Sequence, residues 1–125
     1  MVKSVIYTVV AIILSLSFFI FSHIYVKKQF EELETSVTVL YNKTENKEAN
    51  REDAYAVRNA WDKNKESLHI FVPHNDISYV DYWLNEACSL IYTGNYDLAL
   101  AKLEVLKWIS KTLPKGYSLS LENIF

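Results

Sequence analysis

The sequence is poor in the residue types that many functional sites require. Its 125 residues include one cysteine, two glycines and two prolines. A single cysteine excludes an intrachain disulfide and a cysteine-rich zinc site. Both glycines follow residue 90, so the chain has no glycine-rich loop to cradle a phosphate or a dinucleotide. A chain of this length holds one small domain at most.

Excess positive charge is also missing. Thirteen Lys and Arg stand against fifteen Asp and Glu, which gives a formal net charge of −2. A nucleic-acid-binding domain needs a basic field to hold the phosphate backbone. Nucleic acid is therefore not an expected partner.

One long uncharged segment is present. Ser4 to Val26 form a run of 23 residues without a formal charge, and fourteen of them are Val, Ile, Leu or Phe. As a helix this run is roughly 34 Å long, enough to cross a hydrocarbon core of about 30 Å. A cleaved secretory signal would have a shorter apolar run followed by a small-residue site, and here Ala11 is the last alanine before residue 49. We therefore predict a membrane anchor over residues 1–28 and a helical extramembrane domain over residues 29–125.

The orientation of the anchor follows from what flanks it. Only three residues precede the run, one of them Lys3, whereas 97 residues follow Lys28. This is the form of a signal anchor, with the N-terminus in the cytoplasm and the domain outside the cell membrane. The domain carries ten of the thirteen cations and all fifteen acids, so it is acidic, near −5.

Apolar residues at steps of three and four predict helices throughout the domain. The polar stretch 42–51, Pro73 and the turn 93–95 separate four such series, and the first continues the anchor as one rod from Ser4 to about Tyr41. The expected inward-facing residues are Phe30, Leu33, Val37 and Leu40 in the first helix, Ala54, Val57, Trp61, Asn64, Leu68 and Phe71 in the second, Ile77, Val80, Leu84, Ala87 and Ile91 in the third, and Ala99, Leu103, Leu106, Ile109 and Leu113 in the fourth.

These series predict an all-α chain: an N-terminal transmembrane helix that continues into a small antiparallel bundle of two helical hairpins. Asn75 or Asp76 is expected to cap the third helix, and Asn95 or Asp97 the fourth.

Small residues recur along the predicted anchor at steps of 4, 3, 4 and 7, which places them on one face of a helix. Faces of this kind let helices approach closely in lipid. The alternative is that the hydroxyls bond only to carbonyls of their own helix, and Phe18 interrupts the series of small residues. The predicted packing face consists of Ser4, Thr8, Ala11, Ser15 and Ser22.

No motif for a metal, a cofactor or catalysis stands out. His69 and His74 flank Pro73, which is not a ligand spacing, and a metal would need three or four converging ligands. Cys88 lies on the inward side of the third helix, where a cysteine usually behaves as a small hydrophobe. We therefore expect no metal, no cofactor and no enzyme activity.

Aromatic residues are concentrated in the last hairpin, in larger number than one buried seam can hold. Most are expected at the edge of the core, and some could form an exposed platform, because Tyr and Trp are typical anchors of interfaces. The aromatic members of the candidate interaction surface are Tyr82, Trp83 and Tyr96.

Several short motifs resemble a family of small single-pass membrane proteins of unknown function found in clostridia and related spore-forming Firmicutes. They are Trp61 with Lys65 and Leu68, Pro73-His74-x-Asp76-Ile77, Asn95-Tyr96-Asp97 with Ala99, Leu103 and Leu106, and Leu121-Glu122-Asn123-Ile124-Phe125. The resemblance covers residues 1–125 and implies a membrane-anchored helical domain without known catalysis, often encoded beside multi-pass membrane proteins. The resemblance points to Trp61, His74, Asn123 and Ile124 as positions that the family pattern uses, and these complete the candidate interaction surface. A structural role is expected for them before a binding role. The charged loop from Lys43 to Arg51 departs from the family pattern.

Two functions remain open. The first is a membrane-anchored accessory or scaffold protein that contacts a membrane protein partner through its transmembrane helix and its acidic bundle, the partner being a multi-pass protein or a second copy of the chain. The alternative is an extracytoplasmic binding module for a cell-wall polymer or a small ligand, which the exposed aromatics would bind.

Overall fold

The computed structural model describes residues 1–117 and contains four α-helices followed by a short 3₁₀ helix. Within that range there are no β-strands. The helices are α1 (Val2–Glu45), α2 (Arg51–Leu68), α3 (His74–Tyr92) and α4 (Tyr96–Thr112), and the 3₁₀ helix spans Leu113–Tyr117. The all-α prediction, with a long apolar first helix continuing into a small bundle, is confirmed.

Helix α1 is 44 residues long and unbroken. It contains neither proline nor glycine, the residues that most often kink or end a helix. Its N-terminal half is apolar and almost entirely exposed, and within the described chain α1 is the helix that is long and apolar enough to cross a membrane. Its C-terminal half forms one wall of the bundle, so the two parts share a single rigid axis.

The bundle is built from the C-terminal half of α1 and the three shorter helices. Each helix packs on two neighbours: α1 on α2 and α4, and α3 on the same two. The core contains the predicted seams almost completely, with additions such as Val26, Ala49 and Cys88. Asn64, Phe71 and Leu113 are only half-buried. The three- and four-residue spacing therefore identified the core correctly, except where a series reaches the end of its helix or meets a polar residue.

The turn between α1 and α2 is short and well bonded. Asn50 caps α2 in a capping box: its side chain accepts from the backbone N–H of Asp53 at 2.8 Å, and the Asp53 carboxylate accepts from the Asn50 N–H at 3.0 Å. The Lys43 ammonium lies 2.7 Å from the same carboxylate. The pKa of Asp53 therefore lies below its usual value. The hydrogen bond from Lys43 has the largest effect, and the bond from the Asn50 N–H has the next largest. This corner ties the end of α1 to the start of α2.

The end of α2 and the start of α3 differ from the prediction. Helix α2 ends at Leu68, and residues 69–72 form a turn closed by bonds such as that from the Val72 N–H to the Leu68 carbonyl. Helix α3 begins at His74, so neither Asn75 nor Asp76 is its N-cap. The reason is that Pro73 has an extended backbone, and its carbonyl already accepts the first helical hydrogen bonds. We call the end of the bundle that contains this turn its base.

The turn between α3 and α4 uses Gly94, whose φ of +75° lies in the left-handed region that favours glycine. Its N–H and that of Asn95 close the end of α3 on the carbonyls of Ile91 and Leu90. Asn95 occupies the N-cap position of α4, as predicted, but its side chain makes no capping bond.

Candidate functional site

The two histidines near Pro73 stack on each other rather than converging with other ligands. The rings of His69 and His74 lie 5.5 Å apart with 21° between their planes, and Nε2 of His74 is 3.3 Å from the Ser78 hydroxyl. Among residues 1–117 there is no group of three His, Cys, Asp or Glu side chains able to hold a metal ion. The pair bridges the turn between α2 and α3.

Cys88 is fully buried, and its Sγ donates to the Ala54 carbonyl at 3.6 Å. Burial raises the pKa of this thiol to about 11. Because the thiolate is the reactive form of cysteine, the protonated thiol is poorly suited to attack a substrate. It packs α3 against α2.

Three of the four hydroxyls of the predicted packing face are satisfied within α1 itself. Thr8 donates to the Ser4 carbonyl at 2.9 Å, Ser15 to the Ala11 carbonyl at 2.8 Å, and Ser22 to the Phe19 carbonyl at 2.7 Å. This is the alternative considered from the sequence. Thr8, Ser15 and Ser22 therefore offer a neighbour their small size, not free hydrogen-bonding groups.

This face continues into the buried seam of the bundle. Steps of four residues from Ser22 lead to Val26 and then to Phe30, and both of these side chains are buried. Since residues three, four or seven apart lie on one side of a helix, the small-residue face points to the same side of α1 as α2, α3 and α4 do. It lies directly below the base of the bundle.

Exposed aromatic side chains gather along α3 and α4. Tyr79, Tyr82 and Trp108 are 51%, 59% and 65% exposed. The Trp83 ring lies edge-on to Tyr79 and to Tyr82, at 6.3 and 5.6 Å. Lys102 adds an ammonium 4.8 Å from the Trp83 ring centroid. We call these four aromatic residues the aromatic surface.

The aromatic surface borders a groove. Tyr79 and Trp108 line an open depression of about 460 Å³ together with Pro73, Asp76 and residues of the 3₁₀ helix. The Tyr117 hydroxyl bonds to the Asp76 carboxylate at its edge. The pKa of Tyr117 lies well above its usual value. Burial of the hydroxyl has the largest effect, and the Asp76 carboxylate adds to it. Trp83 has its indole nitrogen buried without a hydrogen-bond partner in the described part of the chain.

The remaining predicted surface residues are dispersed. Trp61 is only 2% exposed and belongs to the core, so it offers no surface to a partner. Tyr96 is half-buried, and its hydroxyl donates to the Ala49 carbonyl at 3.1 Å. His74 is exposed, but at the start of α3 near the base. Asn123 and Ile124 lie outside the described residues.

A contact that sequence reasoning missed lies at the base. The Phe71 ring packs against two rings of α1, with centroids 5.9 Å from Phe18 and 5.6 Å from Tyr25. Phe71 was expected to continue the seam of α2. The only sequence signal for the observed contact is the apolar run Ile70-Phe71-Val72 directly before Pro73, where a solvated turn would be polar.

Comparisons with known proteins identify the family. No curated protein and no solved structure matches the chain significantly. One family model matches residues 20–124, a range that begins inside the apolar segment and extends almost to the C-terminus. This agrees with the resemblance to an uncharacterised family. The chain belongs to the family defined by the domain of unknown function DUF4363.

Proposed function

We propose that this chain is a single-pass, non-catalytic accessory protein of the cell membrane, and that its transmembrane helix packs against a helix of a multi-pass membrane protein. The observation that carries the proposal is the unbroken α1, which contains both the apolar segment and one wall of the bundle. On this proposal the N-terminus is cytoplasmic and the bundle is extracytoplasmic.

The rigid connection gives the anchor more than a tethering role. Val26, Phe30, Leu33 and Val37 are buried against the other helices, so α1 cannot rotate or tilt without the bundle. A partner that fixes the rotation of the transmembrane helix therefore also fixes which face of the bundle it meets. A simple tether would need no such continuity and is commonly a flexible linker.

The small-residue face indicates where the partner helix lies. Because this face points to the same side as the bundle, a helix packed against it lies directly beneath the base. Two parallel copies meeting through this face would each place its bundle above the helix of the other. At an interaxial distance of about 8–10 Å the two bundles would then overlap. The lower part of the face, from Ser4 to Ser15, fits a helix of a multi-pass protein that ends or tilts away before the base of the bundle, where Phe71 already covers Phe18.

The experiment places a photoreactive residue at Ala11 in the full chain and irradiates native membranes. Ile13 is the matched control, because it lies two residues on and about 200° around the helix. We expect a discrete adduct from Ala11 and none from Ile13. Ser15→Leu should abolish the adduct, whereas Ser17→Leu should not, since Ser17 makes the same kind of bond to its own helix, to the Ile13 carbonyl, and lies on the other side.

Two results would contradict the proposal. One is equal labelling from Ala11 and Ile13, which would mean that the face has no preferred neighbour. The other is a crosslink between two differently tagged copies of the chain, which would mean that the face mediates a homodimer.

A second candidate function is supported by the aromatic surface. Three exposed aromatic side chains, of which Tyr79 and Trp108 line a groove, resemble the platforms on which sugars and peptides stack. On this alternative the bundle binds a cell-wall polymer or a small ligand. The test adds soluble wall fragments to the full chain in lipid nanodiscs and records tryptophan fluorescence. A shift that Trp108→Phe removes would support binding, and an unchanged spectrum would end this alternative.

A further inference from the structure

The turn at the base of the bundle contacts α1 well inside its apolar segment. We call residues 69–73 the base turn. Its Phe71 lies against both Phe18 and Tyr25, and Phe18 is eight residues before the end of the uncharged run. At 1.5 Å per residue, Phe18 is about 12 Å below Val26 along the helix axis. The bundle therefore extends down beside the apolar segment instead of standing clear of it.

The length of the segment determines where that contact lies in a bilayer. Ser4 to Phe18 is 15 residues, which is about 22 Å of helix. A hydrocarbon core of about 30 Å needs about 20 residues, which extends from Ser4 to about His23. Phe18 is thus inside the hydrocarbon core, and the Phe71 ring that touches it lies at the edge of that core.

The side chains of the base turn fit this position. Ile70 is 74% exposed, whereas Val72 is buried in the core. No Asp or Glu occurs between Glu66 and Asp76, although the domain as a whole is acidic. The nearest cations on α1, Lys27 and Lys28, are four and five residues above His23. That is about 6–8 Å, the level of the headgroups. An exposed isoleucine at this depth faces acyl chains instead of water.

We infer that the base turn is a second membrane contact of this protein, in which Ile70 and Phe71 insert into the outer edge of the lipid bilayer around the transmembrane helix. The inference rests on the proposed membrane span. It names lipid as the occupant, because the base turn lacks acidic groups and lies at the depth where the segment itself must meet acyl chains. The contact holds the bundle upright on the membrane.

The experiment measures the environment of Ile70 directly. An environment-sensitive fluorophore is attached to Ile70→Cys in the full chain, in a Cys88→Ala background whose helical content is first compared with that of the wild type. The chain is reconstituted in vesicles of phosphatidylcholine and phosphatidylglycerol. Quenching is compared between lipids that carry a nitroxide near the headgroup and aqueous iodide. Asn46→Cys at the far end of the bundle and Ile12→Cys in the segment are the controls.

We expect a blue-shifted emission from Ile70 that the nitroxide lipid quenches and iodide does not. The probe at Asn46 should be quenched by iodide and not by the nitroxide lipid. The probe at Ile12 should be protected from iodide and quenched by lipids that carry the nitroxide deeper along the acyl chain. If Ile70 is quenched by iodide, or by neither agent because protein covers it, while Ile12 is quenched by lipid, the inference alone is wrong. If Ile12 also escapes the lipid quenchers, the membrane span and the proposed function fail, and the inference fails with them.

Discussion

The indole nitrogen of Trp61 donates to Oδ1 of Asp81 at 2.7 Å and so joins α2 to α3. The Lys65 ammonium lies 3.3 Å from the same carboxylate and 3.0 Å from Asp62. Burial alone would lower the pKa of Lys65, but its hydrogen bonds to Asp62 and Asp81 outweigh that effect, and the pKa lies above its usual value. A polar cluster therefore locks the second helix to the third beside the core.

Trp61→Phe should destabilise the fold by about 1–3 kcal/mol. It keeps most of the buried ring but removes the donor to a charged acceptor. Thermal or urea unfolding of the full chain in detergent, followed by circular dichroism, measures the loss. Trp108→Phe is the matched control: Trp108 is exposed, so this change should stay within about 0.5 kcal/mol. Equal effects of the two substitutions would show that the bond to Asp81 contributes nothing.

The sequence was sufficient to predict what depends on helical periodicity. Phe30, Leu33, Val37 and Leu40 are all buried, as their spacing indicates, because one face of a straight helix must meet the neighbours that cover it. The absence of proline and glycine from residues 1–45 likewise predicted one continuous rod. Both are properties of a single element, which a local pattern can specify.

The partners of individual side chains could not be predicted in this way. The spacing of Trp61 placed it correctly in the core, but its bond to Asp81 depends on how α2 and α3 lie side by side. The contact of Phe71 with Phe18 joins positions 53 residues apart, and no periodicity relates them. The predicted N-cap of α3 was wrong because the first helical hydrogen bonds go to the Pro73 carbonyl, so the helix begins before Asn75 and Asp76.

Asn50→Ala should cost about 1 kcal/mol of stability, because it removes the side-chain acceptor of the capping box at the start of α2. The measurement is again the free energy of unfolding of the full chain. Asn59→Ala, at an exposed position inside the same helix, should be neutral or stabilising, since alanine is the better helix former there. If both substitutions were neutral, the capping box would not contribute to stability.

The raised pKa of Cys88 should make the folded chain less stable at high pH. This pKa rises from 9.0 to about 11 in the folded chain. Between these values the unfolded thiol loses its proton while the folded one keeps it, so the native state binds more protons and stability falls as pH rises. Relative to Cys88→Ala, which lacks this group, the wild type should lose about 1–3 kcal/mol between about pH 8 and about pH 11. A constant difference between the two proteins over this range would contradict the burial of the thiol.

Insertions in α1 test whether the anchor and the bundle act as one rigid body. Two leucines added between Phe19 and Ile20 rotate the small-residue face by about 200° relative to the bundle, and four rotate it by about 400°, close to a full turn. The photoadduct from Ala11 should therefore be lost with two added residues and largely restored with four. Both insertions lengthen the segment, so a loss caused by length alone would be greater with four. An adduct that survives both insertions would mean that the partner recognises the membrane helix independently of the bundle.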